Sequence, residues 1–147
     1  MTIRTSIAAA GAAVVLAGAG AVLVPAIASA HSTTHTLKFV AVQLKQANFS
    51  KTDGGTTEQD VNSAGKTIGF DVINFAFNPA TNTGTVNVAL STHGGILYGA
   101  LKPSNGPIIK GTVTGGTGAF QGATGTIVGK QLNKAGTKTA VTITYSS

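Results

Sequence analysis

Thr85-Val86-Asn87-Val88-Ala89-Leu90-Ser91 alternates apolar and polar side chains, setting Val86, Val88 and Leu90 on one face and their polar neighbours on the other. A period of two is the mark of a half-buried strand. Before it, residues 68–77 (IGFDVINFAF) form a longer β-branched and aromatic run, stopped by Asn78-Pro79 and turned through 80–84. After it, Thr92-His93-Gly94-Gly95 reads as a tight turn into a strand over 96–101, and Lys102-Pro103-Ser104-Asn105-Gly106 as another into 108–114. Connections this short require antiparallel neighbours, because a parallel crossover needs a dozen residues or more.

The same rhythm extends to both sides. Residues 36–47 (TLKFVAVQLKQA) predict a first strand, apolar on both faces near Phe39 to Val42. Residues 50–66 are polar and hold Asp53, Glu58 and Asp60, three of the four acids, and read as a surface loop without the alternating oxygen ligands of a calcium site. A Gly-rich connection over 115–125 leads to a strand over 126–132, and a hairpin turned at Asn133-Lys134-Ala135-Gly136 returns over 137–145. The count is seven or eight strands. Eight is about the number at which a closed barrel is just filled or holds one small ligand, and closure removes exposed edges. The predicted fold is therefore all-β, an eight-stranded antiparallel barrel.

Residues 1–30 differ from everything that follows. Arg4 is the one early charge, residues 7–28 are uncharged and rich in Ala, Val, Gly and Leu, and Ala28-Ser29-Ala30 offers the small residues that a signal peptidase needs. The expectation is export, with cleavage before His31 and no stable membrane insertion afterwards; left uncut, a segment of that length would be an anchor. Residues 31–147 then form one secreted domain with nine lysines, no arginine and all four acids. The lysines are scattered, and bidentate phosphate or guanine contacts are arginine chemistry, so nucleic acid is not expected as a partner. With no cysteine in 147 residues, disulfides and thiolate metal sites are excluded. A mature N-terminal His31 with His35 or His93 has the donors of a copper site, but the distance from residue 31 to the turn at 93 is not fixed by sequence, and no metal or other cofactor is expected.

The Gly-rich segment Gly115-Gly116-Thr117-Gly118-Ala119-Phe120-Gln121-Gly122-Ala123-Thr124-Gly125 has neither dinucleotide spacing nor a Gly-Lys-Ser/Thr ending, so it is no phosphate loop. Its bland reading is a tight connection whose glycines take positive φ while Phe120 plugs the barrel end. It resembles the Gly-Gly-Thr-Gly-aromatic-x-Gly-Ala-x-Gly stretch of the allene oxide cyclase and dirigent superfamily, and the likeness extends loosely over residues 37–145. The resemblance implies an eight-stranded barrel with an apolar cavity, commonly trimeric in plant members. Those members bind unstable hydrophobic intermediates and set the stereochemistry of cyclisation or radical coupling without a cofactor. Two departures stand out. The first strand lacks the acid that plant members use there and offers Gln43, besides Gln46, as a neutral polar group. Thr124 also stands where dirigent proteins tend to carry arginine.

Asp71 is the one acid inside a run that reads as a strand. Alternation sets it with Ile73, Phe75 and Phe77 on one face, opposite Phe70, Val72, Asn74 and Ala76. Facing an apolar cavity, its pKa would rise and it would serve as a proton donor; facing outward, it would be a surface or subunit-contact residue. Either face could be inside. Asp71 and Tyr98 are thus the candidate catalytic residues, and Gln43, Asn74, Phe75 and Phe120 the candidate ligand contacts. The expected function is to hold a small hydrophobic molecule in a secreted homo-oligomer, trimer or dimer, and to guide a cofactor-free cyclisation or isomerisation if it turns that molecule over. The alternative is a non-catalytic structural or envelope-associated oligomer, whose cavity would be packed shut by Phe70, Phe75, Phe77 and Phe120.

Overall fold

The computed structural model describes residues 32–104 and 106–147. The segment over 1–30 read as an export signal, and His31, lie outside the described residues. Eight strands follow in order: β1 (Thr34–Asn48), β2 (Asp53–Val61), β3 (Thr67–Asn78), β4 (Thr83–Thr92), β5 (Gly95–Lys102), β6 (Ile108–Gly116), β7 (Thr124–Gln131) and β8 (Lys138–Ser146). Each pairs antiparallel with its neighbour, and β8 pairs with β1 to close the barrel. The predicted fold class is the one observed, and Val86, Val88 and Leu90 do share the inner face.

One expectation fails. Residues 50–66 are not a surface loop: their centre is β2, paired with β1 on one side and β3 on the other. Its sequence, DGGTTEQDV, has little apolar content to announce a strand, and two flanking ladders override weak local preference. Gly54 is needed there because a Cβ at that position would stand 2.5 Å from the Phe75 ring and 2.7 Å from the Ala47 carbonyl oxygen.

Antiparallel order gives the barrel two distinct ends. At one end lie the β2–β3 and β4–β5 turns and a single 3-10 turn, Gly118–Phe120, carried by the Gly-rich connection. Gly118 and Gly122 have φ of 59° and 73°, the left-handed conformation that glycine takes without a Cβ penalty. That conformation drops Phe120 into the barrel end, where its ring meets Tyr145 edge-on at 5.5 Å. With Phe39, Leu90, Leu97, Ile127 and Ile143 these rings form the buried core. The opposite end, where β1, β3, β5 and β7 finish, has no such plug among the described residues.

A carboxyl cluster in an apolar barrel

A cavity of about 340 Å³ occupies the interior beyond the core, walled by side chains from all eight strands. Leu90, Leu97 and Ile143 line its inner part, and Gln43, Phe75, Ile109, Gln131 and Thr139 reach it from the strand ends opposite Phe120. Most of the wall is aliphatic or aromatic, as small-molecule sites generally are.

Three carboxyl groups interrupt this apolar wall. Strand pairing sets Gln43 opposite Glu58, Glu58 opposite Asp71, Asp71 opposite Leu90 and Leu90 opposite Leu97, one inward row across β1 to β5. Glu58 and Asp71 line the cavity and are 9% and 5% exposed. Asp60, two residues beyond Glu58, points the same way and is fully buried. Its register partners are Ala41 and Gly69, whose small size leaves room for a carboxyl group.

Among the described residues nothing neutralises this group from within the wall, since no lysine, arginine or histidine lines the cavity. Both oxygens of Asp60 and Oδ1 of Asp71 are buried without a hydrogen-bond partner. Desolvation raises all three acids, because charge in an apolar enclosure loses its hydration. Glu58 is pushed up to about 7 by burial and then by the nearby Asp71 charge. Asp71 is pushed up to about 7 by burial and then by the nearby Asp60 charge. Asp60 is raised to about 7 by burial and then by the Glu58 charge. Near neutral pH the cluster is therefore only partly ionised, and a carboxyl that keeps its proton can act as a general acid inside an apolar enclosure.

The candidate residues read from sequence divide. Asp71, Gln43 and Phe75 line the cavity. Tyr98 does not: Leu97 and Gly99 take the inward positions of β5, so alternation turns Tyr98 to the outer face, where it is 40% exposed. Asn74 likewise falls on the outer face of β3, beside Val72 in a shallow groove over β1 to β3. Phe120 is not in the cavity wall either, being the buried plug at the far end. Glu58 and Asp60 were missed because they lay in the presumed loop. Thr56, Glu58 and Asp60 do recur at a period of two, but polar residues in that rhythm read as solvated.

Of the copper donors considered, His31 lies outside the described residues, while His35 stacks on Tyr145 at 5.2 Å. Among the described residues, no group of three or more His, Asp or Glu is arranged to hold a metal ion.

No protein-family profile and no curated protein matches the sequence. Solved structures do match. A pyocyanin demethylase is similar with a TM-score of 0.63 at 15% identity, covering 76% of this chain and 99% of its own. A pterocarpan synthase dirigent protein gives 0.63 at 16% identity, over 78% and 88%. An exo-specific intermolecular Diels-Alderase gives 0.62 at 10%, over 78% and 99%. At these identities the likeness establishes the fold alone, a closed eight-stranded antiparallel barrel.

Proposed function

We propose that the barrel, exported and freed of residues 1–30, binds a small hydrophobic molecule in its cavity and guides a cofactor-free cyclisation or isomerisation of it. The observation that carries this reading is the placement of Asp71 and Glu58 in an otherwise apolar cavity of about 340 Å³. An enclosure of that size fixes the conformation of a flexible substrate, and a protonated carboxyl set in its wall supplies a proton where charge develops. Structures of this fold include proteins described as a Diels-Alderase and a dirigent pterocarpan synthase, so cyclisation chemistry is compatible with the architecture.

Native mass spectrometry of the mature protein taken from culture supernatant tests the binding step. A retained apolar compound, displaced when the cavity is filled by mutation, is the expected result. Empty protein that also ignores a neutral apolar fluorophore would overturn the reading. For the catalytic step, Asp71→Asn is expected to abolish turnover of the retained compound even when the protein is saturated with it.

A structural role for a homo-oligomer is the second reading, and one observation favours it: Phe70, Val72 and Tyr98 lie on the outer face, with Phe70 52% exposed. Its other requirement is not met, since Phe70 lies on the outer face, Phe77 is exposed near the end of β3 without lining the cavity, and the cavity is not packed shut. Self-association lost in Phe70→Glu, in protein that holds no ligand, would move the weight to this reading.

A further inference from the structure

We propose that the molecule held in the cavity is a basic amphiphile, an apolar body carrying one positively charged nitrogen seated against Asp71 and Glu58. This rests on the ligand-binding reading above and names the class of ligand.

Three of the four acids lie in the interior while the cavity wall holds no cation, although the chain has nine lysines available. Folding alone has no use for such an arrangement. An unpaired buried carboxylate loses its hydration, and apolar residues of similar volume would pack the same space at lower cost. Interiors that retain such groups do so at functional sites more often than elsewhere.

Asp71 is 95% buried, faces the cavity and leaves Oδ1 without a partner. Directly across the strand pair is Glu58, also in the wall, and Asp60 lies one inward position deeper on β2. A donor entering the cavity therefore meets two carboxyl groups together, with a third behind them able to take up or give a proton.

An anion is excluded, because it would sit against three acids with no positive group among the lining residues. A neutral hydrocarbon would fill the apolar wall but leave Oδ1 unsatisfied. A neutral hydroxyl supplies one hydrogen bond. An ammonium or protonated ring nitrogen supplies hydrogen bonds and the missing charge together, and such charge-assisted bonds are about twice as strong as neutral ones. The groups facing the bound nitrogen are Glu58, Asp60 and Asp71, with Gln43 and Thr56 as the neutral polar neighbours on β1 and β2. The cation would ionise one carboxyl of the cluster and expel its proton to solvent, while the others keep proton available for transfer.

The test compares three probes of one shape by fluorescence titration against the mature protein: 1-naphthylmethylamine, 1-naphthylmethanol and 1-naphthoic acid. The amine stays charged over the range used. At about pH 8 it is expected to bind at least tenfold more tightly than the alcohol, and the acid to bind worst. At about pH 5, with the cluster protonated, the preference for the amine should fall several-fold, and calorimetry in buffers of different ionisation enthalpy should show proton release near neutral pH. Glu58→Gln and Asp71→Asn, assayed separately in case one fails to fold, should each keep alcohol binding and lose most of the preference. If the alcohol binds and the amine gains nothing at about pH 8, the cationic ligand is refuted while the binding cavity stands. If none of the three binds, the cavity is no binding site and both readings fall.

Discussion

Glu58 on β2 and Asp71 on β3 are direct register partners, and both side chains point into the barrel. Burial raises both to about 7, with the Asp71 charge adding to the effect on Glu58 and the Asp60 charge to that on Asp71. Asp60 joins them at about the same value.

Stability should consequently run against the usual acid denaturation. In the unfolded chain these groups titrate near 4, whereas in the barrel they hold their protons to about 7. Between those values the native state binds more protons than the unfolded state, so unfolding free energy declines as pH rises through the window. The stabilisation is full below about pH 4 and gone above about pH 7, and each tenfold difference in proton affinity is worth about 1.4 kcal/mol. Thermal unfolding followed by circular dichroism should give a Tm higher at about pH 5 than at about pH 8. A Tm that is flat or rises over that range would show that the three acids are ionised in the native state.

Asp60→Asn isolates the deepest of the three. It retains shape and removes the ionisation that burial opposes, so at about pH 8 the variant should be more stable than the parent, by about 1–3 kcal/mol. At about pH 3, below both the native and the unfolded value, Asp60 is protonated in both states and the difference should shrink to near zero. Denaturant midpoints at the two pH values measure the contrast, and a variant destabilised at both would mean that Asp60 is held by partners other than its acidic neighbours.

Filling the cavity should separate binding from folding. Ile73 lines the wall and is only half-buried, with free volume beside it. Ile73→Trp should keep the fold to within about 1–3 kcal/mol of the parent, a usual range for added core volume, yet abolish retention of an apolar ligand. Retention unchanged in this variant would place the ligand elsewhere.

Phe120 has the opposite character. It is buried against Tyr145 at the plugged end and does not line the cavity. Phe120→Ala should cost about 3–5 kcal/mol of stability. Ligand affinity, measured where the variant is still folded, should change little.

The strands legible in the sequence are those where apolar residues mark the inner face, as in 85–91, and the turns are those where Asn, Pro or Gly fixes the backbone. Residues 53–61 were opaque for a physical reason. Their inward positions hold Thr56, Glu58 and Asp60, and the rules that relate hydrophobicity to burial read such residues as solvent-facing. The candidate site was therefore half visible. Asp71 stood out because it interrupted an apolar strand, whereas Glu58 and Asp60 stood among other polar residues. Nor could alternation alone decide which face of β3 is inside, because Phe70 and Val72 on one side are as apolar as Ile73 and Phe75 on the other. The cavity and the register with β2 settle it.

Tyr98 provides the last check, because its hydroxyl is the sequence's other candidate proton donor. Strand alternation in β5 turns it outward, level with Ala89 of β4, which is in turn paired with Val72 of β3. A proton donor on the outer face has no route to a molecule between Asp71 and Leu97. On the proposed reading, Tyr98→Phe should therefore leave both ligand affinity and turnover within about twofold of the parent, whereas Asp71→Asn should remove turnover. Loss of turnover in Tyr98→Phe with affinity intact would put the reacting atoms on the outer surface of the barrel and would rule out the cavity as the reaction site.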